Sequence, residues 1–236
     1  DFHKAVNGLR TRLGAVPLPL MIPLGVAQDF RGAIDLWELE RVLWTPDTSD
    51  EERSPLMQED ELYLPAIEAR ESMLETLAEH DDLFAEAYLE EKDIPKKDFE
   101  AAVRRACLAC RVVPVLCGSA LTLRGVNRVL DAISYYLPAP SECPSIVGIH
   151  PKTHQREERP PDPNGPVAML AFKTTFTGYG KTTYLRVYSG LVKKGQRLLN
   201  SSTGKIENIG PLYLSQGKKR VQTDTEGPGS IILLEG

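Results

Sequence analysis

The chain has 236 residues, 42% of them hydrophobic, enough for one large or two small domains with a sizeable core. Its formal net charge of −5 is unevenly spread: residues 1–140 hold 15 basic and 25 acidic side chains, residues 141–236 hold 13 and 8, which points to two domains with different partners. No apolar run reaches the roughly 18–20 residues of a membrane span, so no membrane partner is expected.

Residues 2–13 read as a helix, because Phe2, Val6, Leu9 and Leu13 recur every three or four positions and Gly14 ends the run. Pro17 and Pro19 break the chain. Leu20–Val26 and Arg31–Leu36 read as strands, with Val42–Trp44 a third short one. Thr45–Pro55 reads as a charged loop. Three helices follow: 65–79 with Ile67, Met73, Leu74 and Leu77 on one face, 81–91 with Leu83, Phe84, Ala87 and Tyr88, and one opening near Pro95. Proline suits a first helical turn. The inner face of that third helix reads as Phe99, Ala102, Val103, Ala106 and Cys110.

Val112–Cys117 is a short apolar strand, left by a tight Gly118-Ser119-Ala120 exit. A helix of about 125–137 then carries Val126, Val129, Leu130, Ile133 and Leu137 on one side. A strand, a loop and a covering helix in this order belong to an α/β sheet. Ligands of such sheets sit at the carboxyl ends of the strands, which is where the Gly118–Leu121 loop falls. Residues 141–165 are proline-rich and read as a linker. From 166 the style changes to short β-rich runs punctuated by Gly178, Gly180, Gly190, Gly195, Gly204, Gly217, Gly227 and Gly229. That pattern indicates a small antiparallel barrel.

Other chemistry is sparse. The four cysteines are Cys107, Cys110, Cys117 and Cys143. Cys107 and Cys110 have CxxC spacing, but no second pair completes a zinc site. Both are read as small, buried or half-buried helix residues. His3, His80, His150 and His154 form no triad or metal spacing, and acidic pairs such as Asp81-Asp82 read as solvated surface. No catalytic residue and no metal ligand is expected in this chain. The first residues form no signal peptide and include no initiator Met, so the N-terminus reads as a cut.

Against this background several strings carry a resemblance. Pro114-Val-Leu-Cys-Gly-Ser-Ala-Leu121, Arg124-Gly-Val126, Leu130-Asp-Ala132 and Tyr136-Leu-Pro138 resemble elongation factor G. So do Arg10-Thr-Arg-Leu-Gly-Ala15, Pro19-Leu-Met-Ile-Pro-Leu-Gly25 and Phe30-Arg-Gly-Ala-Ile-Asp35, in the same order. Leu170-Ala-Phe-Lys173 and Arg186-Val-Tyr-Ser-Gly190 with Gly195 look like that family's second domain. The resemblance covers nearly the whole chain.

It implies a fold: part of a P-loop GTPase domain, α/β, over 1–140, with an α+β insertion at about 44–110. The 141–165 linker and an all-β small barrel over 166–236 follow, the barrel lacking its final strand. It also implies a guanine-binding role for Ser119, Ala120 and Leu121. Guanine offers a carbonyl acceptor at its edge, and small residues let backbone N–H groups reach it. The bound nucleotide would be GTP or GDP with Mg2+ in the intact protein. The phosphate-binding Gly-x-x-x-x-Gly-Lys-Ser/Thr loop, the switch segments and Asn-Lys-x-Asp are absent here. The chain alone is therefore expected neither to bind nor to hydrolyse GTP.

The implied partner is the ribosome. The barrel would meet small-subunit ribosomal RNA, and the acidic insertion the large-subunit stalk protein. Lys193, Lys194, Lys218, Lys219 and Arg220 are the candidate RNA contacts, within a 165–236 stretch of ten basic and four acidic residues. The implied function is GTP-driven tRNA–mRNA translocation. Two alternatives stand beside it: a mitochondrial ribosome-recycling GTPase, and a non-catalytic ribosome-binding or assembly factor on the same fold. Arg53-Ser-Pro-Leu56, Glu68-Ala-Arg70 and Asp81-Asp-Leu-Phe-Ala85 lean toward the organellar type, which favours the mitochondrial matrix slightly over bacterial cytoplasm.

Overall fold

The computed structural model describes residues 1–45, 50–151, 153–177, 180–217 and 219–235. They form two compact units, Asp1–Leu137 and Pro138–Gly236. No helix among the described residues is long and apolar enough to cross a membrane.

In the first unit, α1 (Phe2–Leu13) is capped by the Asp1 side chain, which accepts from the Lys4 amide at 3.1 Å, and closes on Gly14. Five strands follow: β1 (Pro17–Pro19), β2 (Met21–Leu24), β3 (Gly32–Asp35), β4 (Glu40–Trp44) and β5 (Glu51–Pro55). Then come α2 (Tyr63–Ala78), α3 (Asp82–Leu89), α4 (Lys96–Leu108), β6 (Val113–Val115) and α5 (Val126–Tyr136). β1 runs parallel to β6, Leu18 opposite Pro114. The Val113 amide donates to the Val16 carbonyl at 2.8 Å and the Leu20 amide to the Val115 carbonyl at 2.9 Å, so the N–H groups that Pro17, Pro19 and Pro114 lack are not ones this ladder uses. β2, β3, β4 and β5 form a separate antiparallel sheet in that order. Thr45–Pro55 is therefore not all loop. Residues 51–55 pair with β4, and 46–49 lie outside the described residues. The sheet begins at Met21, ahead of residue 44.

The core of this unit lies where β1 meets the helices. Leu18, Leu36, Met73, Leu74, Leu77, Phe84, Phe99, Ala102, Val103, Ala106 and Val112 are buried together. Trp37 stacks on Phe99 with ring centroids 4.2 Å apart. Asp81, only 7% exposed, caps α3 by accepting from the Phe84 amide at 2.9 Å. Its two oxygens also take Arg105 Nε and Nη2, each at 2.7 Å. Asp81 is thus a structural ion pair, not the solvated surface charge the sequence suggests. Cys107 is half-buried in α4, but Cys110 is exposed beyond its end. α5 departs most from expectation. It has the anticipated apolar stripe, yet none of its residues is buried, and Val129, Leu130 and Ile133 stay largely exposed.

The second unit is antiparallel. β7 (Ile146–Ile149) and β8 (Arg156–Arg159) form a hairpin within the stretch expected to be a linker. The prolines there, Pro144, Pro151, Pro160 and Pro161, flank the two strands and remove no donor from within them. β9 (Ala168–Thr177), β10 (Gly180–Ser189), β11 (Val192–Lys193), β12 (Arg197–Asn200), β13 (Lys205–Asn208), β14 (Leu212–Gln216), β15 (Lys219–Thr223), β16 (Thr225–Glu226) and β17 (Ile231–Glu235) complete it. Five strands make one sheet in the order β15-β14-β17-β10-β9, and β11–β16 and β12–β13 are two-stranded ribbons. Leu185, Val187, Val192, Ile209, Leu212 and Ile232 fill the core between them.

Candidate functional site

The loop that leaves β6 is fixed at both ends by backbone. The Ser119 amide donates to the Arg124 carbonyl at 2.9 Å, closing residues 119–124 into a ring. A Cβ at Gly118 would stand 2.8 Å from the Arg124 oxygen, too close for any side chain. Gly125 has φ 73°, and a Cβ there would lie 3.0 Å from the Cys117 oxygen and 3.1 Å from the Trp44 ring. Both glycines are required by the turn.

Side chains hold the ring from outside. Arg124 Nη1 donates to the Phe30 carbonyl, in the connection between β2 and β3. Arg128 of α5 grips Glu51 of β5 through Nε at 3.0 Å and Nη2 at 2.8 Å. The Ser119 hydroxyl accepts weakly from the Thr122 amide at 3.4 Å. Leu121 is 95% exposed and Ala120 is also open to solvent. Among the described residues, the Ala120 and Leu121 amides donate to no acceptor. The loop thus presents two free N–H groups at the carboxyl end of a strand. Burial pushes the neighbouring Cys117 thiol up to about 12, so it is neutral at physiological pH and no nucleophile.

The three residues read from the sequence as guanine-binding therefore sit together on one exposed turn. Gly118 reads from the sequence as part of a tight exit, whereas Arg124, Gly125 and Arg128, which also shape and brace the region, carry no role in that reading. A glycine on each side of a six-residue segment was the available signal, but its meaning depends on which carbonyl lies opposite.

The basic residues of the second unit divide. Lys193 and Lys194 are exposed at the end of the β11–β16 ribbon. Lys219 is exposed at the start of β15 in the five-stranded sheet, so the two clusters belong to different sheets. Lys218 lies outside the described residues. Arg220 is only 19% exposed, with Nη1 on Glu235 Oε1 at 2.6 Å and Nη2 on the Thr182 hydroxyl at 3.2 Å. It is tied into the sheet, unlike its neighbour. Among the described residues no group of three or more His, Cys, Asp or Glu side chains converges as a metal site.

A mixed α/β unit with a helical layer, followed by an antiparallel β unit, is a fold already known. The crystal structure of a Thermus thermophilus protein matches it with a TM-score of 0.70, covering 99% of this chain and 32% of that one at 24% identity. No protein-family model matches the chain. Elongation factor G 2 of Syntrophus aciditrophicus (strain SB) is 38% identical over 236 residues, 100% of this chain and 35% of that protein. Elongation factor G of Thermotoga neapolitana is 38% identical over 235 residues, 98% of this chain and 33% of its own length. Over its whole length the chain is similar to these elongation factor G proteins, and it spans about a third of the length of these curated relatives.

Proposed function

We propose that the chain is the central part of a ribosome-dependent translational GTPase, one that couples GTP hydrolysis to tRNA–mRNA translocation. In this reading the Ser119–Leu121 turn contacts the guanine base of GTP or GDP. The guanine carbonyl accepts from the free Ala120 and Leu121 amides, and the closed ring pre-pays their ordering. The observation that carries the reading is this pair of undonated amides at the end of β6, in a chain that aligns with elongation factor G from end to end.

Phosphoryl transfer needs a phosphate cradle, Mg2+ and a positioned water, and no motif for any of them occurs in these 236 residues. No residue here is assigned to the metal or the phosphates. Residues of this chain bind and orient the base, and the chain alone is inactive. The second unit acts as the family's barrel-type second domain and lies on small-subunit ribosomal RNA through Lys193, Lys194 and Lys219. The acidic helices α2 and α3 belong to the insertion that would meet the large-subunit stalk protein.

Two assays test the reading. Titration of the 236-residue chain with a fluorescent guanine nucleotide should show no micromolar binding. A longer protein that includes the preceding segment should hydrolyse GTP faster with ribosomes than without. Ribosome-independent hydrolysis, or none in either condition, would contradict it.

A further inference from the structure

The outer face of the five-stranded sheet carries aromatic rings and cations that the proposed function leaves unused. Strand alternation turns Tyr184, Arg186 and Tyr188 of β10 away from the buried Leu185, Val187 and Ser189. On β9, Leu170 pairs with Arg186 and Lys173 with Tyr184, and a bulge between them leaves Phe172 as the extra residue. Phe172 is 50% exposed, and its ring lies 6.4 Å from that of Tyr184. Lys173 Nζ sits over the Tyr184 ring at 5.6 Å, and the Arg186 guanidinium over Tyr188 at 6.0 Å. Ile231 of β17, opposite Arg186, is also exposed.

Charge on this face is one-sided. Among the described residues Lys173 and Arg186 form no ion pair with a carboxylate, and Glu235, the acid at the sheet's edge, is taken by Arg220. A row of half-open rings interleaved with uncompensated cations suits a ligand with flat π-faces and negative charge along its length. Unpaired RNA has both, whereas in a duplex the base faces are hidden by their neighbours.

We infer that this sheet face is a stacking platform for single-stranded RNA, with Phe172 as its principal ring and Lys173 and Arg186 neutralising the flanking phosphates. It rests on the proposal that the second unit meets RNA, and it adds a surface and a form of RNA separate from the Lys193–Lys194 ribbon. The bulge accounts for ring and cation standing side by side, because strict alternation would send residues 172 and 173 to opposite faces.

The test uses the whole 236-residue chain, a fluorescein-labelled unstructured U-rich 12-nucleotide RNA, and the same strand in a duplex, read by anisotropy. The single strand should bind about tenfold more tightly than the duplex. Phe172→Ala should weaken single-strand binding by about 5- to 100-fold, the range of one lost stacking contact, and Phe172→Tyr should restore it. Lys193→Glu with Lys194→Glu should weaken both RNAs alike. Equal affinity for the two RNAs, absence of binding to either, or an unaltered Phe172→Ala chain would overturn the platform. If Phe172→Ala lowers the melting temperature, Lys173→Gln with Arg186→Gln replaces it, and single-strand affinity unchanged in that variant counts equally against the inference. The broader RNA reading is judged separately, by ribosome binding of the Lys193 and Lys194 variant.

Discussion

Leu121 is 95% exposed yet offers its loop only a backbone amide, whereas Phe172, 50% exposed, offers its sheet a ring. The first unit's candidate site is made of peptide groups held by glycines. The second unit's surfaces are made of side chains standing on a regular ladder. Such sites fail in different ways. A backbone site is broken by adding a Cβ or removing an N–H, and ignores most side-chain truncations. A side-chain surface is broken by truncation and charge reversal, and shows salt dependence that a neutral amide contact lacks.

The largest effect expected from this contrast is at Gly118. In a nucleotide-binding longer protein, Gly118→Val forces the Arg124 carbonyl away and opens the ring. Loss of two amide hydrogen bonds should lower GDP affinity by about 100-fold, measured by fluorescent-nucleotide titration. Leu121→Ala should leave it unchanged. Sensitivity to Leu121→Ala would show that the loop uses its side chains after all.

A side-chain device does exist in the first unit, but it serves the scaffold. Asp81→Ala removes both the α3 cap and the Arg105 pair, and should cost about 2 kcal/mol in urea melts of the first unit. The Arg105 guanidinium, helped by the Phe84 amide against the opposing effect of burial, holds the Asp81 carboxyl below the usual range. A carboxyl depressed on folding contributes stability above its unfolded value of about 3.9, lost as pH falls through the lower folded value. Asp81→Asn should flatten that acid limb, which pH-dependent melts would detect.

On the second unit, Lys193→Glu with Lys194→Glu should reduce ribosome affinity about tenfold and the slope of log affinity against log salt by about 2. The smallest effect separates neighbours. Arg220→Ala should lower stability of the second unit by about 0.5–1 kcal/mol with little change in RNA affinity, and Lys219→Ala should do the reverse. Paired thermal melts and binding isotherms would show which.

What could be read without the structure follows the same divide. α1, α2 and α4 announced themselves by periodic apolar residues and by Gly14 and Pro95 at their ends. β5 could not, since Glu51–Pro55 is exposed throughout, shows no alternation, and becomes a strand only because β4 templates it. The 146–159 hairpin was hidden by prolines that border its strands without entering them. The stripe on α5 reported a face able to be covered, not one that is covered. The Ser119–Leu121 turn was legible through resemblance, but its free amides and the close approach at Gly118 depend on where the Arg124 carbonyl lies, which no residue type encodes. Arg220 looked like its lysine neighbours until Glu235 and Thr182 were placed beside it.

The central claim is that backbone amides at 120 and 121 hold the guanine carbonyl. The direct measurement is the affinity of a longer protein for GDP and for 2-aminopurine riboside diphosphate, which lacks that oxygen, in wild type, Leu121→Ala and Leu121→Pro. Wild type and Leu121→Ala should both prefer GDP by about tenfold or more. Leu121→Pro, which deletes one N–H, should bind GDP several-fold more weakly and lose most of the preference. A Leu121→Pro protein that folds and still discriminates as wild type does would contradict the account.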